Sequence, residues 1–117
     1  MEKRQFVRVQ LPECASIKYN DHTCFANIKN ASLQGLFIEI NRDVPLDTNL
    51  QITVFMPSNT SIRLNANVVR HEQSGVGVKI QSMDVNSFVN LRNVISKSCH
   101  DFNGLMSETY KMTSCIH

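Results

Sequence analysis

A chain of 117 residues, 42% hydrophobic and 19% charged, fits one domain with a single modest core and lies far from a disordered composition. Twelve lysines and arginines against ten carboxylates leave +2, too little for general nucleic-acid or membrane-surface binding. No run approaches the ~20 apolar residues of a membrane span, and Phe6 and Val7 stand among charges where a signal peptide would be apolar, so the chain is expected in the cytoplasm. In that reducing compartment Cys14, Cys24, Cys99 and Cys115, none in a C-x-x-C pair, are expected as free thiols.

Taken in order, the chain opens on a local cationic cluster, Lys3, Arg4 and Arg8, opposed only by Glu2. Phe6, Val7, Val9 and Leu11 interleave with Arg8 and Gln10 as a first strand that Pro12 ends. Cys14 to Tyr19 is a second, closed by the turn residues Asn20 and Asp21. Thr23 to Lys29 reads as a third strand, leading into a polar turn from Asn30 to Gly35, after which Gly35 to Ile40 restarts a strand. A loop over 41–47 precedes Leu50 to Met56, whose Leu50, Ile52, Val54 and Met56 share one face. Ile62 to Arg70 alternates through Ile62, Leu64, Ala66 and Val68, and Gly75 to Ile80 makes the last strand. Gly75 and Gly77 fit strand bends at a barrel corner. Period two over so many short segments argues for an all-β barrel or sandwich.

The period changes at Asp84, a suitable N-cap because its carboxylate can accept from first-turn amides. Val85, Phe88, Val89, Arg92 and Ile95, with Leu91 and Val94 beside them, follow helical spacing for three to four turns. Past Ser98, Leu105, Thr109, Met112 and Ile116 are compatible with a second amphipathic helix or with a loose tail. No base–nucleophile pair or paired carboxylates form a catalytic motif, so no enzyme activity is expected. His22 and Cys24, one residue apart, lack the usual metal-ligand spacing, so no metal site or cofactor is expected.

Taken alone, Arg4 and Arg8 are a solvated terminal charge pair, and Asn30, Ser32 and Gly35 are ordinary turn residues. Together they form R-x-x-x-R followed by [DN]-x-S-x-x-G, and in this order, ahead of and within a β-rich chain, they resemble the double motif of PilZ domains. The resemblance extends over about residues 3 to 97. It implies a six-stranded antiparallel split β-barrel with a C-terminal helix, spanning residues 1–97, with 1–10 as a flexible ligand-binding arm and 98–117 as a tail. It also implies binding of the second messenger cyclic di-GMP by Arg4, Arg8, Asn30, Ser32 and Gly35, with Lys3 as a third cation for a second, intercalated ligand molecule.

The chemistry suits those residues. Guanine offers O6 and N7 as paired acceptors that a guanidinium fork matches, and the phosphodiesters take charge-assisted bidentate contacts from arginine. Side-chain oxygens of Asn30 and Ser32 can accept from guanine N1–H and N2–H, Asn30 more weakly than the Asp common in the family. Gly35 would allow a positive φ or a close ligand approach. With no output domain in the sequence, the expected function is a receptor that changes shape and signals through a separate effector protein, in motility, pili, exopolysaccharide or virulence. The alternative is a PilZ-like protein-interaction adaptor with little affinity for the messenger, against which the arginine pair argues. A small barrel binding single-stranded nucleic acid would want more exposed aromatics and a wider basic groove, so no DNA or RNA partner is expected.

Overall fold

Alternating apolar residues lay out seven strands in the computed structural model, which describes residues 6–98 and 101–117. They are β1 (Val9–Gln10), β2 (Cys14–Tyr19), β3 (His22–Ala31), β4 (Gly35–Glu39), β5 (Asn49–Phe55), β6 (Ser61–Glu72) and β7 (Gly75–Met83). All pairings are antiparallel, and six strands close in the order β3, β2, β5, β6, β7, β4, with β4 returning to β3. Closure leaves the barrel no free edge of its own. Its interior is filled by alternate residues such as Ile17, Ile28, Ile38, Leu50, Ile52, Ile62 and Ile80, all buried. Each such side chain contributes roughly 1.5–3 kcal/mol by leaving water.

The first strand is shorter than its alternation suggests. Only Val9 and Gln10 pair, with Ala31 and Asn30 of β3, because residues 6–8 leave the barrel and the Val7 N–H turns to a carboxylate of the C-terminal helix. Pro12, lacking an N–H, interrupts the run. The Leu11 N–H still donates to the Lys29 carbonyl at 3.0 Å, and Ile28 to the Glu13 carbonyl at 2.8 Å. β1 and β2 thus lie end to end along one edge of β3, while β4 takes the other edge.

Helix α1 (Val85–Ser98) begins where expected. The Asp84 carboxylate accepts from the Ser87 N–H at 3.2 Å and from Ser87 Oγ at 2.7 Å, and Ser87 Oγ accepts from the Arg63 N–H of β6 at 2.8 Å. Phe88, Leu91 and Ile95 face the barrel, whereas Val85 and Val89 remain exposed. The tail is a second helix, α2 (Phe102–Lys111), capped by Asp101, whose carboxylate accepts from the Gly104 N–H at 2.9 Å. Leu105 and Met112 bury its inner face. Thr109 accepts from Arg92 Nε at 3.2 Å, which ties α2 to α1, and the His117 N–H donates to the Met83 carbonyl at the end of β7. Cys14, Cys24 and Cys115 are free thiols. Among the described residues no helix is long and apolar enough to cross a membrane.

Candidate functional site

Two β-bulges fall on the same rung of the barrel wall. In β3 the register with β4 steps from Ile28–Ile38 to Asn30–Phe37, leaving Lys29 extra. In β6 the register with β7 steps from Val68–Val78 to Arg70–Gly77, leaving Val69 extra. Phe37 itself pairs with Gly77. Across β3, β4, β7 and β6 the rung therefore reads Lys29 and Asn30, Phe37, Gly77, then Val69 and Arg70. Ile28, Ala31, Leu36, Ile38, Val68, Val76 and Val78 all point into the core, which directs this rung outward. A bulge re-aims side chains locally, and here two of them turn three polar or charged side chains, Lys29, Asn30 and Arg70, onto one stretch of outer wall.

Phe37 floors the stretch. It is only 5% exposed although it faces out of the barrel, and Lys29 Nζ stands 6.0 Å from its ring centroid. Beside it Gly77 has no side chain, and Arg70 lies across the space so opened. A Cβ at Gly77 would meet Arg70 Cγ, Nε and Cζ at 3.0–3.2 Å. From the other side Arg8 reaches in, its Nη1 donating to Asn30 Oδ1 at 2.5 Å. Arg8, Gln34, Gly35, Val69, Arg70 and Lys79 line a cleft of about 230 Å³.

The cleft is cationic. Partial burial, and then the positive charge of Arg70, lower the Arg8 pKa from its ordinary value, while Glu72 partly restores it. Arg70 Nε is held by Glu72 Oε2 at 2.5 Å on the open surface. Three cations, Arg8, Arg70 and Lys79, thus line one hollow, and among the described residues that line it there is no carboxylate; Glu72 pairs with Arg70 from beside it. A larger cleft of about 350 Å³ lies over β5–β7, where Arg63 is opposed by Asp84. It offers an anion far less. The hollow beside Phe37 suits an anionic, planar ligand, because guanidinium forks take phosphate oxygens and guanine edges alike. Among the described residues no group of three or more His, Cys, Asp or Glu side chains could hold a metal ion.

Of the residues expected to bind, Lys3 and Arg4 lie outside the described residues. Arg8 and Asn30 are brought together. Asn30 sits in a strand, however, and not in the turn assigned to it, because β1 and β4 flank it on both edges. Ser32 is 1% exposed and clasps its own turn. Its Oγ accepts from the N–H groups of Gln34 at 3.1 Å and Gly35 at 3.2 Å, and its own N–H donates to the Gly35 carbonyl at 2.8 Å. Gly35 has no positive φ. It is glycine because a Cβ there would collide with the Val78 carbonyl oxygen of β7. Lys29, Phe37, Arg70 and Lys79 were not anticipated. Gly77 is less a bend than the bare floor on which Arg70 rests.

A family model for the PilZ domain matches residues 2–97 of the chain. A search of curated proteins returned no match. Among solved structures, the Bacillus subtilis inhibitor of motility MotI/DgrA superposes with a TM-score of 0.72 at 14% identity, over 84% of this chain and 52% of that one. Escherichia coli YcgR in complex with c-di-GMP gives 0.69 at 15% identity, over 92% and 51%. The isolated PilZ domain of YcgR with c-di-GMP gives 0.65 at 14% identity, over 97% and 98%. The chain spans about half the length of MotI/DgrA and of full YcgR. At these identities the likeness is one of fold.

Proposed function

The chain belongs to the PilZ domain family, and on that basis we propose that it is a cyclic di-GMP receptor whose ligand seats in the cationic hollow over Gly77. The observation that carries this is the Arg8–Asn30 hydrogen bond, which unites the two separated motifs at a hollow already holding Arg70 and Lys79. In the proposed complex Arg8 and Arg70 exchange Asn30 and Glu72 for ligand oxygens. A neutral amide is a weaker partner for a guanidinium than a phosphodiester, so Arg8 gains by the exchange. The anion also relieves the repulsion between two arginines that the folded chain brings together. Arg4 and Lys3 would add their charges from the preceding segment, and Asn30 Oδ1, released by Arg8, would accept from a guanine N–H. Seating the ligand alters the surface near the arm, which is how a separate effector protein would read it.

Titration calorimetry tests the proposal, with cyclic di-GMP as titrant and GMP as control. Wild type is expected to bind the cyclic dinucleotide, and Arg8→Ala to weaken binding by about 1–3 kcal/mol. Absence of heat with wild type would contradict receptor function and favour a protein-interaction adaptor. Unchanged affinity in Arg8→Ala would place the ligand elsewhere.

A further inference from the structure

The ligand arm is held from outside the matched family region. We infer that Glu108 of α2 is a positioning residue that latches the arm at Val7 and so keeps Arg8 over the hollow; the inference rests on the receptor function proposed above. The Val7 N–H donates to both carboxylate oxygens of Glu108, at 3.1 Å and 3.2 Å, across 101 positions of sequence. Glu108 is 1% exposed and lies between the buried Leu105 and Met112 on the inner face of α2. A buried carboxylate is costly unless it meets donors, and a backbone amide directed at it is a charge-assisted partner. One turn further on, Lys111 Nζ stands 5.8 Å from the centroid of the Phe6 ring, and Phe6 and Val7 pack against the core. Residues 6 and 7 are therefore gripped by α2, while the next residue, Arg8, bonds to Asn30.

α2 is itself anchored toward its C-terminal end. Arg92 of α1 donates to Thr109, and beyond α2 the His117 N–H donates to the Met83 carbonyl of β7, the strand that supplies Gly77 and Lys79 to the hollow. The tail thus joins the arm to one wall of the site. Ordering a backbone residue on binding costs affinity, and a latch that orders residue 7 beforehand removes that cost. Glu108 touches no ligand in this scheme. It acts through the position of Arg8.

Two variants of the full chain test the latch: Glu108→Met, which keeps volume and helix propensity but removes the acceptors, and Glu108→Gln, which keeps one acceptor oxygen. Hydrogen exchange of the ligand-free proteins reads the Val7 amide, and calorimetry reads cyclic di-GMP. In wild type the Val7 amide is expected to be protected, which needs no variant to fold. Glu108→Met is expected to lose that protection while Leu105 stays protected, and to bind about fivefold to thirtyfold more weakly, the ordering cost of one backbone residue. Glu108→Gln is expected to recover most of both. A wild-type Val7 amide exchanging like open chain would overturn the latch. So would Glu108→Met with Val7 exposed and affinity unchanged, or Glu108→Gln recovering neither quantity. Wild type that gives no heat with cyclic di-GMP but protects Val7 would remove the receptor function and, with it, the positioning role.

Discussion

Arg70 owes its place to a missing side chain. Because Gly77 is bare, the guanidinium lies flat across β7, and Gly77→Ala would push Cγ, Nε and Cζ outward from contacts of 3.0–3.2 Å. The displaced atoms belong to a flexible side chain, so Gly77→Ala is expected to fold normally and bind cyclic di-GMP more weakly, as calorimetry beside a thermal melt would show. Glu72 acts in the opposite sense. In the proposed complex it competes with a ligand phosphate for Arg70, and an exposed ion pair of this kind is worth about 0.2–1 kcal/mol. Glu72→Gln is therefore expected to tighten binding by up to about fivefold, and a loss of affinity would mean that Arg70 needs Glu72 for its position. Ser32→Ala should act on stability first, since it strips two amide donors of a buried acceptor, at about 1–3 kcal/mol in a denaturant titration.

At the scale of elements, most of the fold was legible because burial follows period two. β2 and the inward faces of β5 and β6 are where alternation places them. The bulges were not read, although they left a trace. Continuing the phase of Ile62, Leu64, Ala66 and Val68 puts Arg70 inside the barrel, and continuing that of Ala26 and Ile28 puts Asn30 inside and Ala31 outside. A charged or polar residue arriving in the inward phase signals an inserted residue, yet only the partner strand shows on which rung it falls. Hence Arg8 and Asn30 could be taken from motif spacing, whereas Lys29, Phe37 and Arg70 required the register.

The start of α1 makes a separate prediction. The Ser87 hydroxyl, chiefly, holds the exposed Asp84 carboxyl below its ordinary pKa. A carboxyl lowered on folding contributes stability above its unfolded pKa of about 3.9 and loses it as pH falls through the lower folded value. Asp84→Ala is expected to cost about 1 kcal/mol at neutral pH and less in acid, measured by denaturant unfolding at pH 7 and pH 3. An equal cost at both would mean that the ionised cap plays no part.

Over the whole molecule, the barrel acts as a rigid wall, and residues 6–8 and the C-terminal tail meet beside the proposed site. The N-terminal arm supplies Arg8, and the C-terminal tail grips the arm and caps β7. The second helix followed the spacing of Leu105 and Met112, but nothing in that pattern marked Glu108 as the partner of Val7. An isolated carboxylate on an amphipathic helix reads as solvated until packing shows it buried. The same meeting places the proposed site on one side of the barrel. Among the described residues, the opposite rung reads Phe25, Ser16, Thr53 and Arg63, one cation against the three that line the hollow. A two-dimensional amide spectrum recorded while cyclic di-GMP is added distinguishes the sides in one experiment. The largest shifts are expected at Asn30, Gly35, Gly77 and Lys79, with Ser16 and Thr53 unmoved. Shifts centred on Ser16, Phe25 and Thr53, or no shifts at all, would contradict a site on the Phe37–Gly77 rung.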